Sequence, residues 1–241
     1  MLGFAAPIAG VLVLVAHYGT NLILDDQWDD VTVIQSSYGH FPDWTVLWHQ
    51  HNENRLFFPN LIVIALAHLD HFNIVVEEFL GAVMLIVAHV ILILAHRRRS
   101  RRTPWIYYCP VMLVGLGITQ WQNLLWGFQM AWFLVLLSLA ATIYLLDRVK
   151  PSWPYLAGAI ATAIVGSYSS LQGLTIWAAG LVLLFYRRRP ARTVTAWVIS
   201  AVAVVALYYY NFPSALGLRP SLAATHPLAS LKFVVFELGD I

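Results

Sequence analysis

Between Asp25 and Arg55 the chain concentrates side chains that accept protons, donate them or hold cations. Asp25-Asp26-Gln27-Trp28-Asp29-Asp30 opens the stretch just after an apolar run, and Trp48-His49-Gln50-His51-Asn52-Glu53-Asn54-Arg55 closes it just before another. Only 11% of the 241 residues are charged, yet six of the twelve acids and three of the nine histidines fall here. A solvated loop explains scattered charges but not this density, and charges kept at a membrane boundary mark function. Neighbouring carboxylates repel, so at least one of the cluster is expected to hold its proton tightly unless a cation compensates. That suits a general base or a divalent-cation site. His49, His51 and Glu53 alternate, so an extended segment points all three the same way. Nitrogen and carboxylate ligands together suit zinc or manganese. A divalent metal is therefore the cofactor to test, with Asp25, Asp26, His49, His51 and Glu53 as candidate ligands. Arg55, the first basic residue in the chain, reads either as an ion-pair partner or as a fork for phosphate or carboxylate.

A second constellation is Gln120-Trp121-Gln122-Asn123-Leu124-Leu125-Trp126-Gly127-Phe128-Gln129. Amides hydrogen-bond sugar hydroxyls and indoles stack on sugar ring faces. An aromatic belt at the membrane interface explains the tryptophans, but not Gln120, Gln122, Asn123 and Gln129. Ser167, Tyr168, Ser169, Ser170 and Gln172 have a similar, weaker sugar-compatible character. His17 and His89, isolated in apolar runs, read as hydrogen-bonded core histidines. Arg219, His226 and Lys232 are solvated charges or contacts for a lipid phosphate.

The elements that must position these groups are apolar. The chain is 60% hydrophobic with mean hydropathy +0.70 and ten tryptophans, against about 45–50% apolar and about 25% charged in soluble domains. It reads as an all-α integral membrane protein, a single transmembrane domain over 1–241. The lone Cys109 excludes a disulfide framework. The N-terminus lacks a basic region before its apolar run and reads as a retained first span.

Eleven of the fourteen Lys and Arg fall at Arg97–Arg102, at Arg148 with Lys150, and at Arg187–Arg189 with Arg192. The positive-inside rule makes that face cytoplasmic. Leu56–Ala67 reaches only about 18 Å at 1.5 Å per residue, short of the ~30 Å hydrocarbon core. The spacing predicts a juxtamembrane helix over 56–72 inside one outer loop, 25–73. Complete spans are expected at about 4–24, 74–95, 105–119, 124–146, 155–168, 174–186 and 194–210. An eighth begins near Leu231, as in a C-terminally truncated chain. The N-terminus is then cytoplasmic, and the acid, histidine and amide groups are extracytoplasmic.

This layout resembles the GT-C glycosyltransferases, polytopic membrane enzymes that use polyprenyl-phosphate-linked sugars. The resemblance rests on an acidic motif after the first span, Asp25-Asp26, on juxtamembrane helices before the second, and on the two boxes quoted above. It implies that Asp25 or Asp26 is the base that activates an acceptor hydroxyl. His49, His51, Glu53, Arg55, Gln120, Gln122, Asn123 and Gln129 would bind substrate. The expected partners are the bilayer, a polyprenyl-phosphate sugar and a glycan or lipid acceptor, with no nucleic acid, in the cell membrane. A non-catalytic lipid- or glycan-binding partner is the alternative. A transporter fits less well, since the polar groups gather at one face and no internal repeat appears.

Overall fold

The computed structural model describes residues 2–39, 41–148, 152–212, 225–230 and 232. The chain divides into two compact units, residues 1–209 and 210–241. In the second, Ser230 N–H donates to His226 O at 3.0 Å. Arg219, Lys150 and the expected eighth span near Leu231 lie outside the described residues, apart from Lys232.

The first unit is helical. Helix α1 (Leu2–Tyr18) carries the chain to a 3₁₀ turn at Asp25–Gln27 and then α2 (Trp28–Gln35). Short α3 (Trp44–Leu47) leads into a two-residue hairpin, β1 (Gln50–His51) against β2 (Asn54–Arg55), and then α4 (Phe57–Asp70). Next come α5 (Ile74–Arg99), α6 (Cys109–Gly115), α7 (Trp121–Leu124) and α8 (Met130–Leu146). Finally α9 (Trp153–Ser167), α10 (Thr175–Tyr186) and α11 (Ala191–Tyr209) complete the unit.

Three helical segments are long and apolar enough to cross a membrane: Ile74–Arg99, Gly127–Leu146 and Ala191–Tyr209. The other apolar helices, Gly3–Tyr18, Phe57–Asp70, Trp153–Ser167 and Leu171–Tyr186, fall below that length. The first expected span, 4–24, stops being helical at Tyr18, because Gly19 lies against Glu78 and Asn21 turns its side chain to accept from Ile74 N–H at 3.0 Å. The expected span at 105–119 is broken into a 3₁₀ turn, the seven-residue α6 and a second 3₁₀ turn. Gly115 ends α6 where the His89 ring occupies the space of a side chain.

Long-range contacts sort the helix termini into two ends. At one, Phe58 N–H donates to Tyr168 O at the end of α9 (3.2 Å). Asn54 Oδ1 accepts from Ser170 Oγ (2.8 Å) and Leu171 N–H (2.9 Å), and Arg55 Nε donates to Tyr208 O on α11 (2.6 Å). Helix α4 is tied at both termini to this end, since Asn21, just past α1, holds Ile74 after α4 has finished. At the other end Phe4 packs edge-on against Trp105, Arg98 donates to Tyr144 O, and Arg99 and Arg187 both reach Asp147.

Between the ends the helices meet through small residues. A side chain at Gly81 would meet the Phe133 ring at 3.0 Å, so glycine there lets α5 lie directly on α8. Thr142 and Thr162 share a hydrogen bond at 2.9 Å between α8 and α9. Val11, Val15, Ala82, Leu85, Met112, Leu124, Met130 and Leu134 form one continuous core across α1 and α5 to α8.

Candidate functional site

The acids do not sit at the end of α1, as the apolar run suggested. Asp25 and Asp26 lie in the 3₁₀ turn, and Asp29 and Asp30 in the first turn of α2. A helix N-terminus attracts negative charge, so the cluster is placed where the macrodipole favours it rather than opposes it. The helical turn also gathers what the linear sequence spreads out, since residues three and four apart share a face.

The hairpin brings His51 to that face. Its Nδ1 lies 2.8 Å from Asp29 Oδ2 and its Nε2 lies 3.3 Å from Asp26 Oδ2, so the imidazole bridges two carboxylates. Asn52 Nδ2 also approaches Nε2, at 3.2 Å. Phe128 packs edge-on against the ring, with centroids 5.2 Å apart. A cavity of about 320 Å³ opens beside it, lined among others by Asp29, Asp30, His49, His51, Asn60 and Phe128.

Asp30 differs from its neighbours in being buried, only 4% exposed. Its Oδ2 has no hydrogen-bond partner among the described residues. Burial, then the charges of Glu77 and Asp29, pushes this carboxyl well above the usual aspartate range. Behind it Gln27 Nε2 donates to Glu77 Oε2 at 3.2 Å, both side chains buried. Gly127 closes over that pair: a side chain there would meet Glu77 Oε2 at 2.6 Å and Gln27 Nε2 at 2.8 Å.

The chain matches no family model, no curated protein and no solved structure.

The other predicted site residues separate from this group. Asp25, at positive φ (44°), is exposed. Glu53 does not join His49 and His51, because the chain turns at Asn52 (φ 49°) and the alternation ends there. Its carbonyl instead accepts from Tyr208 O–H at 2.8 Å. No three His, Cys, Asp or Glu side chains among the described residues are gathered as metal ligands.

Arg55 is only 3% exposed. Its guanidinium donates to the carbonyls of Tyr208 and Trp48 and lies over the Trp48 ring at 4.9 Å. Burial pulls it below the usual arginine range. Arg55 ties the hairpin to α11 rather than lining the cavity.

Of the amide box, Phe128 lines the cavity. Gln120 donates to Gly115 O at 2.9 Å and closes its own turn, Gln122 is exposed, Asn123 half-buried and Gln129 buried. The serines of the third loop turn inward too. Ser167 bonds Ala163 O and accepts from Trp177 Nε1, while Ser170 donates to Asn54. His89 is bonded to Leu85 O at 2.8 Å as a core histidine, whereas His17 is exposed against Tyr18.

Sequence reasoning singled out the Asp25–Asp30 run but gave no role to Asp29, Asp30 or Gln27 within it, and passed over Asn60 and Glu77. One signal for the first two was present: Asp29 and Asp30 stand three and four residues after Asp26, the spacing that aligns side chains on a helix.

Proposed function

We propose that the chain is a GT-C-type membrane glycosyltransferase that takes a sugar from a polyprenyl-phosphate donor, with Asp26 as the base toward the acceptor hydroxyl. The observation that carries this reading is His51 held between Asp26 and Asp29 at the rim of the cavity. In the reaction, Asp26 withdraws the acceptor proton as the hydroxyl oxygen attacks the sugar's anomeric carbon. The bond to the lipid phosphate breaks, and its electron pair leaves on the phosphate oxygen. His51 stands ready to share the proton through Nε2, and Asp29 orients the ring through Nδ1. Asn60, His49 and Phe128 line the cavity; in this reading Asn60 and His49 contact sugar hydroxyls and Phe128 offers an aromatic face.

A lipid-linked donor requires a site at a membrane face. The cavity's position at the end opposite the arginines, with helices α1, α5 and α8 to α11 running between the two ends, supports that reading and an extracytoplasmic site by the positive-inside rule. The spans in this proposal are those helices together with residues 105–119, with the N-terminus cytoplasmic in the cell membrane.

The test is turnover of a panel of polyprenyl-phosphate sugars by the purified chain in lipid nanodiscs. Release of polyprenyl phosphate that is lost in Asp26→Asn supports the proposal. Donor binding without turnover across the panel would replace it with a non-catalytic binding role.

A further inference from the structure

The opposite end carries a charge imbalance that the glycosyl-transfer reading does not use. Residues 97–192 contain ten arginines and one lysine, and Asp147 is the only acid between Glu78 and Glu237. Asp147 is buried and already engaged by Arg99 Nε (3.1 Å) and Arg187 Nε (2.5 Å). Arg189 therefore turns to backbone carbonyls, donating to Leu146 O at 3.0 Å and also to Arg148 O. The Arg148 Nε is buried with no hydrogen-bond partner among the described residues, its guanidinium lying over Tyr155 at 4.3 Å. Burial, and next the positive charge of Arg99, pulls Arg189 below the usual arginine range. Cations crowded in this way around one occupied carboxylate are stabilised by a further anion.

A cavity of about 70 Å³ borders this cluster at Arg189. Arg189, Arg192, Ser152 and Thr193 give it donors, and Leu145 and Leu156 give it an apolar wall. About 10–15 Å³ of space open to the centre of a water-sized sphere holds one water, so the cavity has room for several waters or a phosphate-sized group. Trp153, beside it, is 57% exposed, as an indole at a membrane interface is. Basic pockets between helices on the cytoplasmic side take anionic lipid headgroups. We propose that this cavity holds the phosphate of an anionic phospholipid, gripped by Arg189 and Arg192, with an acyl chain along Leu145 and Leu156. The site is remote in sequence and contacts from His51, so it stands or falls apart from glycosyl transfer.

The experiment is native mass spectrometry of the full chain in neutral detergent with dioleoyl-phosphatidylglycerol or dioleoyl-phosphatidylcholine. The phosphatidylglycerol adduct is expected to persist preferentially and to weaken about fivefold in Arg192→Gln, the effect of one arginine near an anionic surface. Arg192 is exposed, so the variant should fold, and an unchanged melting temperature without lipid checks this. Arg101→Gln, outside the cavity, should leave the adduct intact. Equal retention of the two lipids overturns the proposal. So does an equal loss in Arg101→Gln and Arg192→Gln, which reports a diffuse basic surface. Inorganic phosphate raising the melting temperature as much as phosphatidylglycerol assigns the cavity to a soluble anion and removes the lipid.

Discussion

At the scale of single residues, Asp26, Asp29 and Asp30 have the same side chain and two different environments. Asp26 and Asp29 are solvent-accessible and face His51, with side-chain exposures of 48% and 68%. Asp30 is enclosed. Exchanging Asp26 for Asn keeps its shape and removes the proton acceptor, so turnover of a lipid-linked sugar should fall about 10²–10⁴-fold while donor binding holds. Single-turnover kinetics beside a donor-binding isotherm check this, and unchanged turnover removes Asp26 from the chemistry. Asp30 makes a stability prediction. Its folded carboxyl keeps its proton above the usual aspartate range, so the native state binds more protons than the unfolded chain across that interval. Its contribution is most favourable below the ordinary aspartate pKa and is lost as pH rises through the raised value. Asp30→Asn should therefore melt higher than the parent at neutral pH, with the difference closing in acid. A gap that stays constant with pH contradicts this assignment.

At the scale of elements, the hairpin is held by residues distant in sequence. The Tyr208 hydroxyl donates to Glu53 O and accepts from Arg55 N–H at 3.2 Å, and Ser170 and Leu171 both donate to Asn54 Oδ1. Removing the hydroxyl in Tyr208→Phe leaves a buried donor and an acceptor without that partner, a cost of about 1–3 kcal/mol. The expected result is a lower melting temperature in detergent and weaker protection of His51 from diethyl pyrocarbonate, since the hairpin carries that histidine to Asp29. Full stability and unchanged protection would show that α11 does not position the site. The boxes around residues 48–55 and 120–129 were legible as unusual in the sequence. Their uses were not, because Arg55, Gln120 and Ser170 satisfy backbone and side-chain partners that local spacing does not reveal.

At the scale of the whole molecule, the arginine clusters occupy one end, while the acids and histidines of the site occupy the other. With α4 tied at both termini to the site end, a cysteine at Gln35 and one at Leu69 should both react with an impermeant thiol reagent added outside intact cells, in a Cys109→Ala background. A cysteine at Arg101 should react only after permeabilisation. Labelling at Gln35 without Leu69, or of Arg101 in intact cells, contradicts the proposed orientation.

Composition and hydropathy by themselves determined that the chain is helical and apolar, where α4, α5 and α8 to α11 fall within a few residues, and which stretches hold the ionisable groups. These are local properties: whether a segment leaves water depends on its own side chains, and helical periodicity repeats every few residues. Tertiary structure decided which of these groups meet. The pairing of residue 51 with residues 26 and 29, of 55 with 208 and of 54 with 170 depends on packing between helices. The break of 105–119 at Gly115 likewise follows from the His89 ring filling the space beside it. The same packing buries Asp30 beside Glu77 while leaving Asp26 open to solvent. Burial, more than residue type, separates their chemistry.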